Sequence, residues 1–252
     1  GALGDMACHI LHQPFKALKL GYPTKVQGSS TLLLQACAPQ AQHVKLTFPA
    51  RENMPKVAMP EVEVHWYDGG MMPDRPEGFP QGKELMGEGG GLCIFHGTKD
   101  TLICGCYGVN PWLLSGRKPN VPQTLRRVKD AMKGGHEQDW IRACKESAGS
   151  RVQTKSNFLE AGPFNEMVVM GVLAVRLQRL NKELLWDGPN MRFTNIDPNE
   201  TIKIIKKDTF EVIDGDPKFK TEWTDPINAQ EFAAGLIKHN YREGWKLVDM
   251  PR

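Results

Sequence analysis

The sequence predicts an α+β protein in which a large, mostly antiparallel, open-faced sheet carries helices on one face. Two observations predict this class: strand-like segments dominate the first half of the chain, and helical segments follow without a regular alternation of strand and helix. The 252 residues are enough for a sizeable core. We divide the chain into a junction helix at residues 1–22 and a sheet domain at residues 23–252.

The chain opens with a helical segment that places three ionisable side chains at helical spacing. Asp5 and His9 are four residues apart and His12 follows three residues later, so all three lie on one side of a helix. Asp5 also suits a helix start, because aspartate accepts hydrogen bonds from the free amides of a first turn. Pro14 predicts a kink, and Gly21 predicts the end of the segment.

Strand-like segments come next, and a long loop interrupts them. Residues 25–34, 43–48 and 61–67 have the composition or the two-residue alternation of strands. Residues 68–91 contain too much glycine and proline for a regular element, which predicts a surface loop. Two apolar segments joined by "TKD", within residues 92–108, predict a hairpin.

Helical periodicity appears in the second half, over residues 136–147, 158–180 and 228–245. "LLWD" and "MRFTN" predict short strands, and residues 202–223 are predicted to form a charged loop. The pattern predicts buried sides for the first two helices, formed respectively by Trp140, Ile141 and Cys144 and by Phe164, Val168, Leu173 and Leu177.

Charge and hydropathy exclude some classes of partner. The 32 basic and 29 acidic side chains leave a net charge of +3, which favours neither nucleic acid nor an anionic membrane. Apolar runs are too short to predict a membrane span, and no pattern predicts a compartment. The many apolar strand residues predict that the sheet face without helices is buried against a second copy, in a homo-oligomer.

The cysteines predict no metal site, because none of them form a C-x-x-C pair. Cys104 and Cys106 alternate along a predicted strand and therefore share a face, as a core pair would. We expect all of the cysteines to be reduced, packed thiols, namely Cys8, Cys37, Cys93, Cys104, Cys106 and Cys144.

Asp5 and His9 are the candidate catalytic residues. A carboxylate one helical turn from an imidazole can orient it, and imidazole groups titrate near neutral pH, where proton transfer is efficient. A structural alternative fits the spacing alone better: Asp5 caps the helix and His9 is a satisfied side chain. A metal site formed by Asp5, His9 and His12 has suitable spacing but lacks a fourth ligand.

Trp66, Tyr67 and Asp68 are candidate substrate-binding residues at the end of a predicted strand. An aromatic ring can stack on a sugar ring, and a carboxylate can accept hydrogen bonds from its hydroxyl groups. The structural alternative is a core tryptophan followed by a turn aspartate.

The opening segment, "GDMACHILHQPFKALKLGYPT", resembles a known family. It is similar to the segment that leads into the C-terminal domain in the glucose-fructose oxidoreductase / inositol dehydrogenase / MocA family, whose D-x-x-x-H motif matches Asp5 and His9. Similarity to a bacterial branch of that family covers almost the whole chain, in "VEVHWYDGGMMP", "LICGCYGVNPWLL", "HEQDWIRAC", "SNFLEAGPFNEMVVMGVLAVRL", "LLWDGPNMRFTN" and "YREGW".

The resemblance implies an NAD(P)-dependent oxidoreductase in which a Rossmann domain binds NAD or NADP. The C-terminal domain would bind a sugar, polyol or related cyclic alcohol and form oligomers. His9 would exchange a proton with the substrate hydroxyl during hydride transfer, with support from Asp5. Many relatives have an acidic residue where this chain has His12, which makes His12 a candidate substrate ligand.

The nucleotide-binding motifs of the family are missing from the sequence. "GEGGGL" at residues 87–92 has leucine at the last glycine position and leads into a strand, so it is not the G-x-G-x-x-G fingerprint. The family's E-K-P motif does not occur. We expect the C-terminal part of a longer enzyme, inactive alone. The alternatives are a redox-neutral, NAD-dependent glycosidase of the same family and a non-catalytic binding or scaffold relative.

Overall fold

The structure of the protein, a computed structural model, describes residues 1–54, 60–85, 90–118, 120–122, 134–238 and 241–246. These residues form a mixed structure of five α-helices and antiparallel sheets, which is compatible with the predicted α+β class. Two compact units are present: Gly1–Arg75 with Met167–Arg252, and Pro76–Glu166. The opening helix therefore belongs to the same unit as the first strands.

The predicted helices and strands appear in the predicted order. The helices are α1 (Ala2–Ile10), α2 (His12–Ala17), α3 (Gly135–Lys145), α4 (Phe158–Arg176) and α5 (Ala229–Ile237). The strands are β1 (Lys25–Ser30), β2 (Gln42–Phe48), β3 (Val62–Asp68), β4 (Leu92–His96), β5 (Thr101–Gly105), β6 (Trp112–Leu113), β7 (Leu184–Asp187), β8 (Arg192–Phe193), β9 (Thr201–Ile202), β10 (Ile205–Ile213), β11 (Asp216–Trp223) and β12 (Ile227–Asn228). The two-residue strands β6, β9 and β12 and the hairpin of β10 and β11 were not predicted.

The largest sheet has five strands in the order β3-β2-β1-β7-β8, and all of its neighbours are antiparallel. The register places Val26 of β1 opposite Leu46 of β2, and Leu46 opposite Val64 of β3. The other strands form three smaller sheets, β4-β5-β6, β10-β11 and β9-β12. The predicted first strand is shorter than expected, because β1 ends at Ser30.

Helices α1 and α4 pack on one face of this sheet. The core lies between that face and the helices. Side chains of alternate residues on β1 and β2 face the helices, and Val26, Val44, Leu46 and Phe48 are fully buried. Gly28 lets the backbone of α4 approach β1, because a Cβ atom there would lie 2.7 Å from the amide nitrogen of Val175. We call this surface the helix face of the sheet.

The apolar helix predicted between residues 158 and 180 is confirmed as α4, and its predicted buried side chains are buried. Among the described residues, α4 is the helix whose length and hydropathy (1.4 on average) would allow it to cross a membrane. Core helices of soluble proteins meet the same criterion. The close contact with β1 at Gly28 identifies this helix as part of the core.

The opposite face of the sheet, which we call the open face, is polar. The residues between the helix-face positions on β2 and β3 include His43, Lys45, Glu63, His65 and Tyr67. The apolar strand residues from which a contact with a second copy was predicted therefore do not form this face on β2 and β3, and the contact itself stays a prediction. The apolar residues of these strands alternate with polar ones, and the helix face takes the apolar set.

In the second unit, the predicted hairpin is confirmed as β4 and β5. Helix α3 is also confirmed, but its predicted buried side is wrong, because Trp140 and Cys144 are exposed. Asp139 is buried instead and accepts hydrogen bonds from Arg142 (3.3 Å) and from the backbone amide of Lys155 (3.3 Å). A carboxylate with these partners can be buried in place of an apolar side chain.

The cysteines fall into two groups. Cys93, Cys104 and Cys106 are buried, and Cys93 lies directly opposite Cys104 on the neighbouring strand. This confirms the burial of the predicted Cys104 and Cys106 pair. The expectation that all the cysteines are packed is wrong for the exposed ones, Cys8, Cys37 and Cys144.

The prediction of a charged loop at residues 202–223 is wrong, because most of this segment forms the hairpin of β10 and β11. Asp214 and Gly215 join the strands, with φ angles of 54° and 85°. Positive φ at both central positions is what a type I′ turn requires, and Asp-Gly is a preferred pair for it. The final helix is confirmed as α5, but it ends at Ile237, earlier than predicted.

Candidate functional site

Helix α1 presents Asp5 and His9 to solvent. The helix begins at Ala2, so Asp5 lies in its first turn and does not cap it, and the predicted helix start at residue 5 is wrong. Asp5 and His9 are both exposed. Side chains four residues apart in a helix are neighbours, with Cβ atoms about 5–6 Å apart. The carboxylate and the imidazole therefore lie on the same exposed side.

Pro14 explains where α1 ends. Proline has no amide hydrogen, and its ring clashes with the carbonyl group four residues earlier, which belongs to Ile10. Helix α1 ends at Ile10 and α2 begins at His12. Leu11 between them keeps helical dihedral angles (φ −75°, ψ −14°), so the half-buried His12 continues near the side of His9.

The other side of α1 is apolar and faces the sheet. Leu3, Ala7 and Ile10 are buried, and Leu3 reaches both α4 and β2 where Gly171 approaches Val44. This packing fixes the orientation of the helix, and directs Asp5 and His9 away from the sheet. Both residues are exposed, as a residue that contacts a ligand must be.

Trp66 and Asp68 form a closed network on the helix face. The indole of Trp66 is 6% exposed and its Nε1 donates to Asp68 Oδ2 at 2.6 Å. Gln42 donates to the same carboxylate twice, from its backbone amide (3.1 Å) and from Nε2 (2.8 Å). The network uses the carboxylate to satisfy groups of the protein itself. This arrangement corresponds to the structural alternative of a core tryptophan.

Tyr67 lies on the open face, away from Trp66 and Asp68. Successive side chains of a strand point to opposite faces, and Tyr67 stacks on His43 there, with ring centroids 4.5 Å apart. The structure therefore does not bring Trp66, Tyr67 and Asp68 together around one ligand. Of the candidate substrate residues, His12 is the one next to the Asp5 and His9 side.

The open face carries a polar cluster that was not predicted from the sequence. His43 Nε2 lies 3.0 Å from His65 Nδ1, and His65 Nε2 lies 3.4 Å from Glu63. Lys45 pairs with Glu183 at 3.1 Å and with Glu63 at 3.5 Å. Alternation in "HVKLTF" and "EVEVHWY" placed these polar residues on one face, but only the register of β2 and β3 shows which of them meet.

Burial and charge shift the pKa values of this cluster. Partial burial, and then the charges of His65 and Lys45, lower the pKa of His43. A hydrogen bond from His65 lowers the pKa of Glu63. The hydrogen bond to Glu183 is the largest of the effects that raise the pKa of Lys45. The neutral imidazole of His43 and the charged forms of the other two groups are therefore favoured.

The described residues do not fit a metal ion or a dinucleotide. No three His, Cys, Asp or Glu side chains in the described ranges group closely enough to hold a metal. Dinucleotides bind where a glycine-rich turn joins a parallel strand to a helix, and all the strand pairs in this part of the chain are antiparallel apart from one isolated bridge.

The chain was compared with protein-family models and with curated proteins. No protein-family model and no curated protein matches the chain. The class of protein that the fold defines is a mixed α/β protein with antiparallel sheets.

Proposed function

We propose that this chain is the substrate-binding and catalytic C-terminal part of an NAD(P)-dependent oxidoreductase of the glucose-fructose oxidoreductase / inositol dehydrogenase / MocA family. Its substrate would be a sugar, a polyol or a related cyclic alcohol. The observation that carries the proposal is the placement of Asp5 and His9 one turn apart on the exposed side of α1. If the imidazole of His9 were buried in the core, it could not contact a substrate and the proposal would fail.

In this proposal His9 exchanges a proton with a substrate hydroxyl. A hydroxyl group loses its proton when an alcohol is oxidised to a carbonyl, and a base within hydrogen-bond reach lowers the barrier. Asp5 acts as a positioning residue, because a carboxylate one helical turn away can orient the imidazole that takes up this proton. His12 would contact another hydroxyl of the substrate, since imidazole can donate or accept.

The proposal places NAD or NADP in a nucleotide-binding domain outside the described residues. The cofactor supplies hydride transfer when bound. The described residues contribute the acid/base pair and one wall of the substrate site. The chain alone is therefore expected to be inactive.

Assembly of copies through the open face belongs to the same proposal. A contact on this face would be made by the polar cluster of His43, Lys45, Glu63 and His65. Large permanent interfaces are mostly apolar, whereas smaller ones are more polar and hydrated. The open face supports a contact of the second kind.

The test replaces His9 in the protein that contains the nucleotide-binding domain. His9→Ala is expected to lower kcat by a hundredfold or more, about the contribution of a general base, while the Kd for NAD(P) stays within about twofold. Asp5→Asn is expected to lower kcat by a smaller factor. His136→Ala is the matched control, because His136 is another exposed helical histidine, in the other compact unit.

Steady-state reduction of NAD(P) with a panel of polyols and sugars measures kcat, and fluorescence titration measures cofactor binding. Equal rates for wild type and His9→Ala would remove His9 from the mechanism. Cofactor that is bound but never released in reduced form, together with glycoside cleavage, would favour the redox-neutral glycosidase. Wild-type protein that binds sugars without any turnover would favour a binding or scaffold protein.

A further inference from the structure

The hairpin of β10 and β11 is a two-stranded ribbon that the rest of the described chain does not extend into a larger sheet. Its only other strand contact in the described residues is an isolated bridge between Leu34 and Ile205, at its base. All of β11 is exposed, and most of β10 is. Because isolated two-stranded ribbons are marginally stable in water, this one would gain stability from a further strand.

The ribbon has one charged side and one apolar side. Cross-strand pairs on the charged side are Lys207 with Glu222 and Glu211 with Lys218. On the apolar side Phe210 packs against Phe219, with ring centroids 5.1 Å apart. These phenylalanines remain 58% and 77% exposed. The exposed aromatic rings make this side of the ribbon a candidate contact surface.

The two edges of the ribbon differ. A two-residue turn makes Ile213 and Asp216 the first hydrogen-bonded pair of the hairpin. Hydrogen-bonded and non-hydrogen-bonded pairs then alternate, so the amide and carbonyl groups of Asp208, Phe210 and Val212 point away from β11. On the other edge the corresponding position is Pro217, which has no amide hydrogen to offer. Within the described part of the chain no strand pairs with the β10 edge, whose amide and carbonyl groups point outward, whereas Pro217 partly blocks the β11 edge.

We infer that the outer edge of β10 pairs with β10 of a second copy of this chain, antiparallel and centred on Thr209. Residues equidistant from Thr209 then face each other across the two-fold axis. Lys207 of each copy meets Glu211 of the other, so opposite charges pair twice. Asp208 of each copy exchanges both backbone hydrogen bonds with Phe210 of the other.

Neighbouring registers are less favourable. Centring the pair on Asp208 would place two carboxylates directly opposite each other, which is destabilising. Centring it on Phe210 would place Lys207 opposite Ile213 and lose both ion pairs. The register at Thr209 also makes the two Phe210 side chains diagonal neighbours, within reach of each other. This contact is independent of the proposed function, because it uses neither α1 nor the open face.

Disulfide cross-linking tests the register. In a background with the exposed cysteines replaced by serine (Cys8, Cys37 and Cys144), Thr209→Cys places two thiols at a non-hydrogen-bonded pair. Cα atoms there are about 4.5 Å apart, which a disulfide can bridge. Mild oxidation is expected to cross-link this variant about tenfold faster than the control, Lys220→Cys. Lys220 lies opposite Thr209 in the ribbon, but on the blocked strand.

A second pair of variants tests the edge itself. Phe210→Thr removes the aromatic ring and keeps the outward amide, whereas Phe210→Pro removes both. Sedimentation velocity over a concentration series is expected to show a weaker dimer for Phe210→Thr, and a Kd about tenfold higher again for Phe210→Pro. Circular dichroism and thermal unfolding check that both variants are folded, because the ribbon lies outside the core.

Three results would overturn the inference. Wild-type chain that stays monomeric at every concentration shows that the β10 edge does not pair. A dimer that Phe210→Pro leaves unchanged places the contact elsewhere, for example on the open face. Equal cross-linking of Thr209→Cys and Lys220→Cys indicates random collision of exposed thiols.

Discussion

Consecutive residues of β1 and β2 have different environments, because one points to the helix face of the sheet and the next points to the open face. Leu46 is completely buried beneath the helices, and its neighbour Lys45 forms ion pairs with Glu63 and Glu183 at the surface. Gly28 touches the backbone of α4, whereas Ser29 is exposed. Strand β2 therefore contributes both to the buried core and, together with β3, to the cluster of stacked rings on the open face.

The difference separates stability from recognition. Burial of apolar area on the helix face contributes about 25 cal/mol per Å², and exposed ion pairs contribute little. We expect substitutions on the helix face to unfold the protein and those on the open face to leave it folded. Three measurements test this comparison, in order of decreasing effect.

The largest effect is expected for a cavity on the helix face. Leu46→Ala should lower the free energy of unfolding by about 2–5 kcal/mol, since the side chain is fully buried. Lys45→Ala, one residue away on the open face, should cost less than about 1 kcal/mol. Urea unfolding followed by circular dichroism measures both. Equal losses would show that the open face is as important for stability as the helix face.

A smaller effect is expected for added volume at the contact of α4 with β1. Gly28→Ala places a Cβ atom 2.7 Å from the backbone nitrogen of Val175, and backbone atoms cannot move aside as a flexible side chain can. Such overpacking costs about 1–3 kcal/mol. Ser29→Ala on the open face is the control and should change stability by less than about 0.5 kcal/mol. An unchanged melting temperature in Gly28→Ala would contradict the close approach of α4.

The smallest effect is expected from acid on the open face. The folded protein lowers the pKa of His43 below its ordinary value of 6.5, chiefly by partial burial. Between these two pKa values the unfolded chain binds a proton that the folded protein does not, so stability decreases as the pH falls through this window. His65 and Lys45, which face His43, add to the cost of protonation.

His43→Gln removes the titrating imidazole. The stability of this variant should depend less on pH just below pH 6.5, and should differ little from that of wild type above pH 6.5. Thermal unfolding at a series of pH values measures the slope. A wild-type slope that the variant retains would assign the acid sensitivity to another group.

Much of the order of elements was predictable from the sequence, because periodicity reflects which side chains are buried. Helix α4 and the strands β2, β3 and β7 follow such patterns. The ribbon was missed because its strands are charged, although Asp214-Gly215 is a recognisable turn signal. The buried side of α3 was missed because Asp139 is buried through its partners, which a periodicity of apolar residues does not show.

The candidate site shows the same division. The exposed side of α1 was predictable, since Asp5 and His9 differ in position from the apolar residues Leu3, Ala7 and Ile10. The sequence could not show that Trp66 and Asp68 already bond each other. Nor could it show the two hydrogen bonds from Gln42 to the same carboxylate, because the pairing of β2 with β3 brings Gln42 opposite Asp68.

By itself the sequence determined the strand and helix patterns and the placement of a carboxylate and an imidazole on one side of α1. Both depend on local spacing, which the backbone geometry of a helix or strand converts directly into direction. Only the tertiary structure decided which face of the sheet is covered, which side chains meet across strands, and which edge of the ribbon is available. These features depend on register and packing between segments that are distant in the chain, and no local pattern encodes them.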